Sequence, residues 1–217
     1  MSKLKDPISC LTHLVGFMLA IPCSVLLIIQ SALHATVWHV VSFSIFSAAL
    51  LLLYAASSIY HMLPISEHAS NILRRIDHMM IFVLIAGTYT PICLVPLRGA
   101  WGWTLFGLVW AIAVAGILLK AFWIDAPRWL STSIYVSMGW IVLIALYPLI
   151  RVLPAAGIWL LFAGGMTYTL GAVIYAVKWP RLNFKWFGFH ELFHLFVMGG
   201  TAFHIVLMFF LLRLGLS

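Results

Sequence analysis

Eight ionisable residues fall within or at the edge of long apolar stretches: His13, His61, Asp77, His78, His190, Glu191, His194 and His204. Such groups are costly in lipid and mark sites by default. His190 and His194 are four positions apart, so on a helix both imidazoles face one ion. His61 completes a three-histidine set, which leaves a fourth position open to water, and neutral imidazoles suit zinc. Without a metal, the same histidines are helix-end groups bonded to headgroups or backbone. Asp77 has two readings. It is a carboxylate favoured by a helix N-terminus and paired with Arg74 one turn earlier, or it is the base or orienting acceptor for a water that zinc acidifies to a pKa of about 7. Ser57, one turn before His61, either bonds back to its own helix, or orients that water or contacts a substrate carbonyl.

The run His190-Glu191-Leu192-Phe193-His194 also spells H-E-x-x-H, the zinc-protease pattern. It makes Glu191 a rival general base and brings in an intramembrane metalloprotease as an alternative. Against that, no downstream ligand of the protease kind follows, and the third histidine lies upstream. His204 is ten residues past His194, about 15 Å deeper at 1.5 Å per residue, too far to share an ion. It is expected to hydrogen-bond within a bundle. His34, His39 and His68 fall in loops or at helix ends and are expected to be solvated.

The elements that must position these residues follow from composition. Apolar residues make up 65% of the 217, charged residues 8%, and mean hydropathy is +1.13. A soluble domain carries roughly 25% charge, so so few charges cannot cover a water-exposed surface. A bilayer core of about 30 Å needs roughly 20 apolar residues per helix. Seven stretches qualify, at about 12–33, 38–61, 76–96, 102–123, 129–149, 156–178 and 189–212. The expected fold is an all-α, seven-transmembrane helical bundle forming one domain over 1–217, in the cell membrane. The start, with Lys3 and Lys5 before an apolar run, resembles a signal peptide. The run continues to about Gln30 with no small-residue cleavage site, and it is read as a retained first helix.

Orientation comes from lysine and arginine alone. With the N-terminus inside, cytoplasmic segments hold nine (Lys3, Lys5, Arg74, Arg75, Lys120, Arg128, Lys178, Arg181, Lys185) against three outside (Arg98, Arg151, Arg213). The C-terminus is then outside. That arrangement brings His61, Asp77, His190 and His194 into one membrane layer, the cytoplasmic one. The net charge of +7 is dealt out singly or in pairs between apolar runs, so it flanks spans and no nucleic-acid partner is expected. Trp38, Trp101, Trp103, Trp123, Trp129, Trp159, Trp179 and Trp186 lie near span ends as interfacial anchors; Trp110 and Trp140 fall inside. Cys10, Cys23 and Cys93 have neither disulfide nor thiolate-metal spacing.

The chain resembles the hemolysin III branch of the progestin and adipoQ receptor superfamily over nearly its whole length. The markers are Ser57-Ser58-Ile59-Tyr60-His61, then Arg75-Ile76-Asp77-His78 running into Ala86-Gly87-Thr88-Tyr89-Thr90-Pro91, and His190-x-x-x-His194 with His204 beyond. The resemblance implies zinc held by His61, His190 and His194, a zinc-bound water held by Asp77, Ser57 alongside, and seven helices with the N-terminus inside. Many relatives carry Glu and Asn ahead of the first-helix histidine. Here that stretch reads Asp6-Pro7-Ile8-Ser9-Cys10-Leu11-Thr12-His13, and only His13 matches.

Relatives in the superfamily include receptors with lipid-amide hydrolase activity, and the similar alkaline ceramidases share the layout. The leading expectation is a zinc-dependent hydrolase of lipid amides or esters, with membrane lipid as substrate or ligand, Asp77 as base and zinc stabilising the oxyanion. The alternatives are a signalling or receptor-like protein with structural zinc, and a pore-forming cytolysin. The absence of an amphipathic polar stripe argues against a pore.

Overall fold

The computed structural model describes residues 4–182, 184 and 187–214; Lys3, Lys185 and Trp186, used above for charge and anchoring, lie outside the described residues. The helices are α1 (Pro7–His34), α2 (Val37–Met62), α3 (Glu67–Leu94), α4 (Ala100–Phe122), α5 (Arg128–Trp140), α6 (Leu146–Val152), α7 (Ala155–Val177) and α8 (Phe189–Leu214), with a short 3-10 segment at Ile141–Ala145 between α5 and α6. No strand occurs among the described residues. Seven helical spans are long and apolar enough to cross a membrane, with α5, the 3-10 segment and α6 forming the fifth. Large apolar side chains such as Met18, Leu19, Leu33, Ile144 and Val177 point outward, where lipid rather than water is the solvent. The protein is a multi-pass membrane protein.

Two helices begin earlier than hydropathy indicates. α1 starts at Pro7, whose missing N–H is no loss in a first turn. α3 starts at Glu67, capped by Ser66, whose Oγ accepts the Ala69 N–H at 3.4 Å. Asp77 therefore sits about three turns into α3, not in its first turn as expected. The physical reason is that residues 67–75 are too polar to register as a span yet extend the same helix. Arg74 does not pair with Asp77 either; its Nη1 meets Asp125 Oδ1 at 3.3 Å, across the α4–α5 connection.

The fifth span is broken. Tyr89 on α3 donates its hydroxyl to the Gly139 carbonyl at 2.6 Å and accepts the Val142 N–H at 2.9 Å, replacing two bonds of the helical ladder. Pro148 follows, with no N–H to offer and a ring that collides with the preceding turn. Backbone groups freed at membrane depth are thus satisfied by a neighbouring helix.

Packing runs α1 on α2, α2 on α3, α3 on α5, α5 on α7, α7 on α8, and α8 back on α1, which closes a ring; α4 lies against α3. Gly87 sets the α2–α3 approach, since an added Cβ would lie 2.5 Å from the Ala49 Cβ. That close contact fixes Ser57 and His61 on α2 relative to Asp77 on α3. Of the two interior tryptophans, Trp110 donates to Thr90 at 3.1 Å and Trp140 to Thr169 at 2.9 Å, which satisfies each half-buried indole.

Candidate metal centre and adjoining cavity

His61 closes the last turn of α2, and His190 and His194 occupy the first two turns of α8. All three meet at the end of the bundle that carries Asp6. Each offers one nitrogen, and the three nitrogens lie within 4.8 Å of one another, so the set could hold a metal ion. His61 Nε2 and His190 Nε2 are 3.3 Å apart. Two ligands on one tetrahedral ion with bonds of about 2.0–2.1 Å would be separated by about 3.3–3.4 Å.

Two of the remaining ring nitrogens, on His61 and His194, are held from behind. His61 Nδ1 faces Asp6 Oδ2 at 2.9 Å. His194 Nδ1 faces the Ser9 carbonyl at 3.3 Å and Thr12 Oγ1 at 3.2 Å, and Thr12 itself donates to that carbonyl at 2.9 Å. Because a carbonyl and an ionised carboxylate can only accept, both imidazoles carry their proton on Nδ1. Each therefore presents an unprotonated Nε2, the form a metal requires. The donor set fits a divalent ion that favours imidazole.

The sequence reading missed Asp6, Ser9 and Thr12 as site residues. A signal was present: three short polar side chains spaced by three, ahead of His13, stripe one face of a helix that starts at Pro7. That face docks against α2 and α8. The Asp6 N–H also donates to the His61 carbonyl at 2.9 Å. Glu191, the rival base, accepts Ser9 Oγ at 2.5 Å on one oxygen and the Gly188 N–H at 2.8 Å on the other. Its carboxylate ties the start of α8 to α1.

His13 is brought to the cluster without joining the ligand set. Its ring lies flat on His194, with centroids 3.7 Å apart and planes 7° from parallel, and it meets Tyr54 edge-on. Neither of its ring nitrogens has a hydrogen-bond partner. Lys5 lies over the Tyr60 ring at 3.6 Å and donates to Ser70 Oγ at 3.0 Å. Burial lowers the pKa of its ammonium, while Asp6 and Asp77 nearby pull it back up.

Asp77 is buried and interacts electrostatically with His61 and Lys5. Ser57 lies next to Asp77, and its buried hydroxyl has no partner that meets full hydrogen-bond geometry. Asp77, Ser57, His13, His190 and His194 line one side of a cavity of about 340 Å³. Its lining includes the apolar Ile81, Leu84, Ile85 and Val197 and the charged Arg74, Asp125 and Arg128. His78 lines it too, and its carbonyl accepts the Tyr135 hydroxyl at 3.2 Å. His204 bonds the Gly200 carbonyl at 2.8 Å and stacks on Tyr168, away from the cluster as expected. His34 and His68 are exposed, but His39, expected to be solvated, is buried; its Nδ1 meets Thr36 Oγ1 at 2.9 Å, because the chain folds back there into α2.

A protein named hemolysin-3 homolog from Bacillus subtilis (strain 168) is 42% identical over 203 residues, covering 93% of this chain and 92% of that protein. Hemolysin-3 from Bacillus cereus is 40% identical over 196 residues, covering 89% and 85%. No solved structure matches significantly. The profile of the haemolysin-III related family matches residues 1–205, which with these relatives makes the chain a member of that family.

Proposed function

We propose that the protein is a zinc-dependent hydrolase of lipid amides or esters, with His61, His190 and His194 as ligands, Asp77 as base and Ser57 as an orienting hydroxyl. The observation that carries this reading is a buried carboxylate with a buried serine beside it, lining one cavity together with His190 and His194, two of the three imidazoles that could hold a metal ion. A zinc ion, when bound, supplies a Lewis acid that polarises a carbonyl and acidifies water. Asp77 accepts the proton of the attacking water as its oxygen adds to the carbonyl carbon. It then returns that proton to the leaving amine or alcohol as the carbon–heteroatom bond breaks. Ser57, beside Asp77, donates toward the reacting oxygen. Ile81, Leu84, Ile85 and Val197 hold an acyl chain and exclude bulk water.

The test uses detergent-solubilised, zinc-loaded protein and a panel of long-chain ceramides, other amides and esters. Asp77→Asn should keep the fold and its zinc yet lose about 10²–10⁴-fold in rate. Glu191→Gln, whose parent side chain is engaged by Ser9 and Gly188, should lose only severalfold. Loss confined to Glu191→Gln would move the base to the H-E-x-x-H glutamate and favour a protease. No zinc-dependent turnover by the wild type would leave zinc as a tie between α2 and α8.

The metal end of the bundle is inferred to face the cytoplasm. Among described residues that end carries Lys5, Arg74, Arg75, Lys120, Arg128, Lys178 and Arg181, against Arg98, Arg151 and Arg213 at the other. Reporter fusions should place the N-terminus inside and the C-terminus outside; both termini on one side would break the seven-span topology.

A further inference from the structure

The cavity has a second polar wall that the hydrolytic step leaves unused. Ser131 and Thr132, in the first turn of α5, are 5% and 6% exposed, line the cavity, and have no hydrogen-bond partner for either hydroxyl. Lys120, in the last turn of α4, lines the same cavity and is 2% exposed. A lysine is almost never this buried without a countercharge. The acid it senses, Asp125, is exposed and already paired with Arg74. Arg128 also lines it, with its guanidinium 4.7 Å from the Tyr175 ring and 5.6 Å from the Phe189 ring. Its one hydrogen bond here is to the Tyr175 carbonyl, at 3.5 Å. The positive end of the α5 dipole points to the same place.

Buried hydroxyls without partners are unfavourable unless a ligand completes them, and a lysine this enclosed with no ion pair of its own gains from an anion. An anion in the cavity they all line would offer each of them an acceptor oxygen. The same cavity is also lined by apolar side chains, and its volume of about 340 Å³ lies in the range of small-molecule sites, about 300–1,000 Å³.

We propose that Lys120, Arg128, Ser131 and Thr132 form an anion subsite that takes the phosphate or carboxylate of an amphiphile whose chain lies in the same cavity. This rests on the lipid-hydrolase reading for the cavity's occupant and names the head group that reading leaves open. Lys120 supplies the charge, and the two hydroxyls supply directional donors that a neutral head group would satisfy only in part.

Binding is measured in nonionic detergent micelles with three probes: hexadecyl phosphate, hexadecanol and inorganic phosphate. Hexadecyl phosphate should bind at least about tenfold more tightly than hexadecanol, and Lys120→Met should remove about tenfold of that affinity. The pair Ser131→Ala/Thr132→Val should weaken hexadecyl phosphate severalfold and leave hexadecanol unchanged. Inorganic phosphate binding as tightly as the alkyl phosphate, with the same sensitivity to Lys120→Met, supports the anion subsite and assigns it to a free anion. Retained zinc and a monodisperse elution profile report folding; if Lys120→Met fails them, the Ser131/Thr132 pair decides. Equal affinity for hexadecyl phosphate and hexadecanol, or folded variants with wild-type affinity, overturns the proposal. Repeating the measurement on His190→Ala separates the two readings, because anion binding should survive loss of zinc. Tight, Lys120-dependent binding without any turnover would sink the hydrolase alone. Zinc-dependent turnover with no preference for an anionic head would sink the subsite alone.

Discussion

The two polar walls of the cavity are built on opposite terms. At the histidine cluster of α2 and α8, backed by α1, His61 and His194 each have Nδ1 held from behind, and Glu191 beside them uses both its oxygens. Where the end of α4 and the start of α5 line the adjoining cavity, Ser131 and Thr132 have no partners and Lys120 forms no ion pair. A metal site gains from ligands fixed before the ion arrives, since rings already oriented lose little freedom on binding. A site for a transient ligand must keep its donors free until the ligand supplies acceptors. Ligand histidines braced from behind in one place and hydroxyls left free in the other therefore distinguish a resident group from a passing one.

That contrast is open to direct attack. The largest effect should come from the ligands themselves: His61→Ala, His190→Ala and His194→Ala should each lose the single bound zinc, read by elemental analysis of purified protein. Full zinc in any one of them removes that residue from the set. Next is the support behind the ligands. Asp6→Asn should weaken zinc by about 10–100-fold in chelator competition, the usual scale for an outer partner of a metal histidine. Wild-type affinity would mean that the 2.9 Å contact between Asp6 and His61 orients nothing. The smallest effect belongs to the facing wall. Ser131→Ala/Thr132→Val should keep full zinc and shift the melting temperature by no more than about 3 °C, because no existing hydrogen bond is removed. A larger shift would show that these hydroxyls serve the fold.

How far the sequence could be read varied by residue, for physical reasons. His190 and His194 were legible because a four-residue spacing on one helix needs no knowledge of the rest of the fold. His61 needed only the topology of alternating spans, which lysine and arginine distribution supplied. Asp6, Ser9 and Thr12 were not, because their partners lie across the bundle on α2 and α8, and hydropathy delayed the start of α1 past Asp6 and Ser9. His39 was misjudged for a related reason: its burial depends on how α1 and α2 meet, not on its place near a helix end.

The sequence by itself determined the class, the seven spans and which residues are too costly to leave in lipid without a function, because composition and helix length act on each segment separately. Tertiary structure alone decided that α1 braces the histidines, that Glu191 is engaged elsewhere, that Tyr89 breaks the fifth span, and that Lys120, Ser131 and Thr132 share a wall with one another. Each of those is a contact between segments far apart in the chain. Periodicity and hydropathy report which face of a helix is polar, but not what that face meets across the bundle.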